Sequence, residues 1–211
     1  MTRPLALTMG DPAGIGGEIA FEAWRRRDGL PPFFVIDDPA RLRAIAPDPV
    51  ETIDGPEQAA SVFRRALPVL PLSLPAPSHP GVAEPLNAPA TIESIMRAVA
   101  LARSGRAAGV VTNPITKKLL KDGAGFAFPG HTEYLAHLGG VPRTVMMLAA
   151  PGLRVVPVTI HLALAEVPRA LTARLIRETA RIVHDALVRD FGMARPRLAV
   201  SGLNPHAGEG G

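Results

Sequence analysis

Cysteine is absent from the 211 residues. No disulfide framework and no thiolate metal site can form, so any metal must be held by His, Asp or Glu. Aromatic residues are scarce: seven Phe, one Trp and one Tyr. They are too few and too scattered for the stacking platform of a single-strand nucleic-acid binder. Lysine is almost missing, since 20 of the 23 basic residues are arginine and the only lysines are Lys117, Lys118 and Lys121. The net charge of +4 is spread along the chain, and the single run of three, Arg25 to Arg27, reads as a solvated helix end. Neither nucleic acid nor membrane is therefore an expected partner. No apolar run reaches the ~18 residues of a membrane span, and the N-terminal run LALTM is too short for a signal peptide. A cytoplasmic location is the expectation.

What is present is a 47% apolar composition broken by 23 prolines and 20 glycines. That is enough for a sizeable core joined by many short connections. Short apolar runs at 5–9, 33–36, 109–112, 144–149, 153–159 and 197–201 read as strands, and 69–74 as an edge strand. Helical spacing appears at 16–27 (Ile19, Ala20, Ala23, Trp24), 39–45, 91–103 (Ile92, Ile95, Met96, Val99), 132–138 and 169–191. Pro151-Gly152 between two strands predicts an antiparallel hairpin. Alternating strands and helices predict an α/β fold with a largely parallel sheet, made mixed by the hairpin. The alternation breaks off after the 197–201 strand, where a helix and further strands are expected to follow.

Polar residues gather where predicted strands end, which is where parallel α/β sheets form ligand sites. The first strand runs into Gly10-Asp11-Pro12-Ala13-Gly14-Ile15-Gly16, and the strand near 110 into Thr112-Asn113-Pro114. His161 and His206 each follow a predicted strand, and neutral imidazoles there could hold one divalent ion or be ordinary loop histidines. Two donors are too few for a stable site, so a third must come from elsewhere. His131 and Thr132 open a helix after Pro129-Gly130, where free N–H groups favour an anion; the plain alternative is helix capping by Thr132. The glycines at 10, 14, 16 and 17 match neither a dinucleotide fingerprint nor a phosphate-binding loop, and a tight turn explains them equally well. His79, His137 and His184 carry no functional signal.

Taken in order, Gly10-Asp11-Pro12-Ala13-Gly14-Ile15-Gly16, Thr112-Asn113-Pro114 with Lys117, Pro129-Gly130-His131-Thr132-Glu133, Ile160-His161-Leu162, and Gly202-Leu203-Asn204-Pro205-His206-Ala207-Gly208-Glu209-Gly210-Gly211 resemble the 4-hydroxythreonine-4-phosphate dehydrogenase family over the whole chain. The resemblance is to that family's N-terminal two-thirds, and Gly17 replaces a Pro often found in it. It implies that His131 and Thr132 bind substrate and that His161 and His206 are two of three metal ligands. The third lies in a Tyr-His-Asp-Gln-Gly motif that these residues do not contain, as does most of the cofactor site. Catalytic and cofactor-binding residues stay unassigned.

The implied fold is similar to isocitrate and isopropylmalate dehydrogenases: two α/β domains, here residues 1–125 and an incomplete 126–211, with the active site at a homodimer interface. The implied reaction is NAD- or NADP-dependent oxidation of 4-phosphooxy-L-threonine at C3, then decarboxylation to 3-amino-2-oxopropyl phosphate, in vitamin B6 synthesis. One divalent ion (Zn, Mg or Co) would lower the pKa of the reacting hydroxyl. The alternatives are a relative acting on a four-carbon sugar-acid phosphate or a dihydrodiol dicarboxylate, or a catalytically incomplete fragment.

Overall fold

The computed structural model describes residues 3–209, so Gly210 and Gly211 of the last motif lie outside the described residues. The chain divides into two compact units, Met1–Pro142 and Arg143–Gly211. The first runs β1 Leu5–Thr8, α1 Gly16–Arg25, β2 Phe33–Asp37, α2 Pro39–Ile45, β3 Val50–Thr52, α3 Ala59–Val62, β4 Leu67–Pro71, α4 Ala88–Arg103, β5 Gly109–Val111, α5 Lys117–Ala124 and α6 His131–Gly139. The second holds β6 Leu148–Ala150, β7 Leu153–Val155, α7 Val167–Ala170 and α8 Ala173–Arg189.

Strands β1 to β5 form one parallel sheet in the order β3-β4-β2-β1-β5. β4 pairs on both sides, so the edge expected at 69–74 is instead taken by β3, a three-residue strand too short to stand out as a periodic run. β2 (FFVID) is buried at every position, as a central parallel strand must be when helices cover both faces. Successive residues alternate between two apolar clusters. Phe34 and Ile36 join Ala59, Val62, Ala90 and Ala98, while Phe33 and Val35 join Ala20, Phe21, Trp24 and Leu42. The predicted hairpin does form, but β6 and β7 make a two-stranded antiparallel sheet of their own. The chain is thus α/β with both senses of pairing, held in separate ladders.

Local chemistry explains where helices begin and which faces they bury. Asp38 caps α2, its carboxylate accepting from the N–H groups of Ala40 (2.8 Å) and Arg41 (3.2 Å), and Pro39 follows in the first turn. α4 starts at Ala88 rather than 91, because Pro89 is well tolerated in a first helical turn. Its buried stripe is Ala88, Thr91, Ser94, Ile95, Ala98 and Val99, and Met96, expected inside, is 48% exposed. Apolar periodicity missed the two hydroxyls, which bond strand ends: Thr91 to the Gly10 carbonyl (3.1 Å) and Ser94 to that of Ile36 (2.8 Å). In α1 Ala20 and Trp24 are buried as expected and Ala23 packs against the same cluster, but Ile19 is exposed and Phe21 is buried in its place. Helix α6 packs with α4 and α5 through Phe126, Tyr134, Val99 and Leu120, inside the first unit, whereas the sequence-based boundary at 125/126 falls before it.

In the second unit Thr172 caps α8 by accepting from Leu175 N–H (3.1 Å), and Thr179, Val183 and Leu187 form the buried stripe. The strand expected at 197–201 is absent. An extended segment becomes a strand only where a neighbour satisfies its N–H and C=O groups, and no described residues pair with this one. Among the described residues no helix is long and apolar enough to cross a membrane.

A buried ion pair ties the ends of β1 and β2. Arg41 Nη1 lies 2.7 Å from Asp37 Oδ2, and its Nε donates to the Pro12 carbonyl at 2.9 Å. Burial pushes the Asp37 carboxyl up to about 6, against the pull of Arg41 and the Asp38 N–H. Replacing Arg41 by Met strands an ionised buried carboxylate. In urea titrations Arg41→Met should lose about 3–5 kcal/mol of stability at pH 8. The variant's carboxyl holds its proton more tightly still, so the deficit should shrink as pH falls to 5, where wild-type Asp37 is itself protonated and needs the cation less. An equal deficit at both pH values would show that the lost contribution is packing alone.

Candidate functional site

The carboxyl ends of β1 and β5 are brought almost into backbone contact. Asp11 N–H donates to the Pro114 carbonyl at 2.8 Å. Asn113, 3% exposed, donates through Nδ2 to the carbonyls of Thr8 (2.9 Å) and Gly16 (3.1 Å), and its own N–H donates to the Thr8 hydroxyl (3.1 Å). The glycines follow from this crowding. A Cβ on Gly10, whose φ is +76°, would lie 2.7 Å from the Pro114 oxygen, and one on Gly16 would lie 2.5 Å from the Met9 oxygen. Glycine here permits close approach of backbone to backbone, which supports the tight-turn reading over nucleotide binding.

Asp11 links this junction to the next motif. Its Oδ1 accepts from Ala13 N–H (3.0 Å), and its Oδ2 accepts from the Thr116 hydroxyl. Thr116 precedes α5, whose first residue is Lys117. Lys117 in turn reaches the start of α6: a Cβ on Gly130 would sit 3.5 Å from Lys117 Cε and 3.6 Å from its Nζ. Three motifs far apart in sequence, at 10–16, 112–117 and 129–133, are therefore physically continuous.

His131 and Thr132 occupy the first turn of α6, after the N-cap Gly130. No side chain caps this helix, so Thr132 does not take the capping role that sequence alone allowed. His131 is half-buried, and its Nε2 is shielded from solvent with no protein partner among the described residues. Burial, then the nearby Lys117 ammonium, hold this imidazole below its ordinary pKa, so it is neutral at neutral pH. Uncapped N–H groups, a hydroxyl, a neutral imidazole and a nearby ammonium together make a setting that attracts an anion. Tyr134, one turn on, is buried against Phe126 and Phe128, which fixes the helix start.

The other two singled-out histidines lie in the second unit. His161 is exposed, and it is the one non-glycine residue with positive φ (57°) among the described residues. His206 is exposed in a turn-rich segment instead of directly after a strand, and its Nδ1 lies 2.7 Å from Glu209 Oε1. A carboxylate only accepts, so Nδ1 carries a proton, and in the neutral imidazole Nε2 is the nitrogen left with a lone pair. Among the described residues, however, no group of three His, Asp or Glu side chains could hold an ion. The residues present do not by themselves satisfy a divalent metal.

His79, His137 and His184 stay outside the site: His79 bridges Val82, His137 stacks near Phe128 (5.1 Å), and His184 meets Asp185 (3.3 Å). A cavity of about 200 Å³ borders the β1 loop, lined by Pro12, Gly14, Glu18, Arg41, Ser78 and Pro80 among others. Neither Lys117 nor His131 lines it. Sequence reasoning gave no role to Asp11, Thr116 or Lys117. The signal was present in the restriction of all three lysines to positions 117–121.

Comparison with known proteins adds an independent line. The model of one family, described as "Pyridoxal phosphate biosynthetic protein PdxA", matches residues 31–211. A 4-hydroxythreonine-4-phosphate dehydrogenase of Methylorubrum populi is 54% identical over 99% of this chain and 63% of its own length. One of Paracoccus denitrificans is 51% identical, over 99% and 64%. A crystal structure of a 4-hydroxythreonine-4-phosphate dehydrogenase from Burkholderia phymatum superposes with a TM-score of 0.89 at 33% identity, over 99% of this chain and 65% of that one. A terephthalate 1,2-cis-dihydrodiol dehydrogenase from Burkholderia xenovorans gives 0.68 at 28%, over 100% and 65%. The chain thus spans a little under two-thirds of the length of the relatives it matches.

The close contact of the two strand ends has a direct test. Gly10 and Gly152 both have positive φ, but a Cβ on Gly152 would meet nothing within 4 Å. Gly152→Ala should cost only the conformational strain of ~1–2 kcal/mol, whereas Gly10→Ala should cost clearly more. Thermal unfolding of the two variants side by side measures the difference, and equal losses would mean that the β1–β5 junction yields.

Proposed function

This chain belongs to the PdxA family of pyridoxal phosphate biosynthetic proteins, and from that premise we propose that it serves as a 4-hydroxythreonine-4-phosphate dehydrogenase. The observation that carries the reading is the start of α6, where His131 and Thr132 meet uncapped N–H groups beside Lys117. Such a setting matches a small phosphorylated amino-acid substrate. The reaction moves hydride from C3 of 4-phosphooxy-L-threonine to NAD or NADP and releases the hydroxyl proton. The resulting β-keto acid loses carbon dioxide and gives 3-amino-2-oxopropyl phosphate. Within it, His131 and Thr132 bind and orient the substrate: neutral imidazole and hydroxyl offer hydrogen bonds without a competing negative charge.

His161 and His206 are proposed as two ligands of one divalent ion (Zn, Mg or Co), with Glu209 orienting His206. Two imidazoles do not complete such a site, so no step is assigned to the ion here. An arrangement of two α/β domains similar to isocitrate and isopropylmalate dehydrogenases, and a homodimer with the active site at its interface, belong to the same proposal. The dihydrodiol dicarboxylate alternative has less support, the dihydrodiol dehydrogenase being the more distant structural match.

The test offers 4-phosphooxy-L-threonine, each nicotinamide cofactor and each metal, and follows reduced cofactor and carbon dioxide together. Equal amounts of both are expected, with a sugar-acid phosphate and a dihydrodiol dicarboxylate turned over more slowly. Calorimetry of substrate binding accompanies it, because tight binding without turnover would mark the 211-residue chain as catalytically incomplete. His131→Ala should weaken binding about 10- to 100-fold, the usual range for a lost hydrogen bond to a charged group. Unchanged affinity would remove His131 from the substrate site.

A further inference from the structure

Each of the three lysines sits on α5, yet their surroundings differ. Lys118 is ion-paired with Asp122 one turn on. Lys117 has no carboxylate within ion-pair distance among the described residues. Its ammonium lies instead beside Gly130, the N-cap of α6, 3.6 Å from where a Cβ on that glycine would be. Glu133 approaches the same point, its Oε2 3.6 Å from where a Gly130 Cβ would be, without pairing to the lysine. Gly130 itself has φ near 180°, which any residue adopts, so its lack of a side chain matters here for the room it leaves beside Lys117.

We propose that Lys117 is a substrate-positioning residue that supplies the positive charge of the anion site at the start of α6, and that Asp11 sets its place through Thr116. The inference rests on the reading of His131 and Thr132 as substrate-binding, and goes beyond it. Those two side chains bring hydrogen bonds but no formal charge, because burial and Lys117 itself keep His131 neutral. A phosphate monoester is close to a dianion at neutral pH, and a helix start offers only about half a unit charge. A neighbouring cation would add the charge these groups lack, and among the described residues Lys117 is placed beside Gly130 and His131.

Asp11 is suited to positioning and not to neutralising. Both of its oxygens are engaged by uncharged donors, Ala13 N–H and the Thr116 hydroxyl. The side chain is buried at the β1–β5 junction, so the first turn of α5 is fixed to the most crowded part of the sheet. A displacement there would carry Lys117 away from Gly130.

The experiment compares Lys117→Gln, Lys117→Arg, Thr116→Val and His131→Ala in the otherwise unchanged protein, with 4-phosphooxy-L-threonine and inorganic phosphate as probes. Lys117→Gln should weaken binding of both probes and raise KM about 10- to 100-fold, with a smaller effect on kcat. Lys117→Arg should recover most of the loss, and Thr116→Val should reproduce part of it. The His131 imidazole, followed by NMR titration, should rise towards its ordinary pKa in Lys117→Gln, because a nearby positive charge has been removed. That readout would not move if Lys117 only stabilised α5. If Lys117→Gln binds both probes within about twofold of wild type while His131→Ala binds them weakly, the lysine assignment fails and the substrate site stands. If His131→Ala also binds normally, the site reading itself fails.

Discussion

The constraint on which the first unit depends is the near contact of two backbones at the carboxyl ends of β1 and β5. Neither Gly10 nor Gly16 can carry a side chain without displacing a neighbouring backbone carbonyl oxygen. Asn113 then fills the remaining polar demand, bonding Thr8 and Gly16 from a buried position. A buried polar group costs free energy unless it is hydrogen-bonded, and here side chain and backbone each provide what the other lacks. The 10–16 loop is held from the sheet side by these bonds and from the helix side by Thr91, which accepts no substitute that lacks a hydroxyl without leaving the Gly10 carbonyl unpaired. This is why a loop rich in glycine is firm enough to position a site.

That firmness is passed on through short polar links. Ser94 donates to the Ile36 carbonyl and accepts from Met9 N–H, so one hydroxyl ties α4 to the ends of β1 and β2. Arg41 reaches Pro12 while paired to Asp37, adding a third anchor. These contacts lie at one end of the sheet, where a parallel strand leaves carbonyl groups without ladder partners. Apolar clusters on the two faces hold the layers together, and polar contacts at the strand ends fix where the loops go. The division follows from the physics: apolar packing is non-directional, whereas hydrogen bonds specify position.

Much of the first unit was legible in sequence because its signals are local. β2 is an unbroken apolar run, α2 opens with Asp38-Pro39, and α4 repeats small and apolar residues at helical spacing. The inward face of α4 was legible at Ile92, Ile95 and Val99, but not at Thr91 and Ser94, which are buried for their hydroxyls and which a hydropathy pattern counts as polar. β3 escaped notice because three residues carry no period, and it exists only because β4 lies beside it. In the second unit the same dependence on a partner works the other way: residues 197–201 hold a short apolar run like that of a buried strand, but nothing described pairs with them. Strand propensity is a statement about fitting a neighbour, so it cannot decide the matter alone.

The candidate residues divide along the same line. His131 was readable from a motif, but its chemistry comes from surroundings that the motif does not contain: partial burial, an uncapped helix start and a lysine fourteen positions earlier in the chain. His161 and His206 have the opposite character. Both are exposed, one holds an unusual backbone conformation and the other is oriented by Glu209, so each is shaped by its immediate neighbours alone. A left-handed histidine costs free energy of the order of 1 kcal/mol or more, and an exposed imidazole bonded to a carboxylate gains little from that bond in water. Neither arrangement is explained by the packing of the described residues. An imidazole whose Nδ1 is held by a carboxylate has its other nitrogen directed to accept from, or coordinate, something else. His131 thus takes its surroundings from its own unit, whereas no group of three His, Asp or Glu side chains among the described residues gathers around His161 or His206.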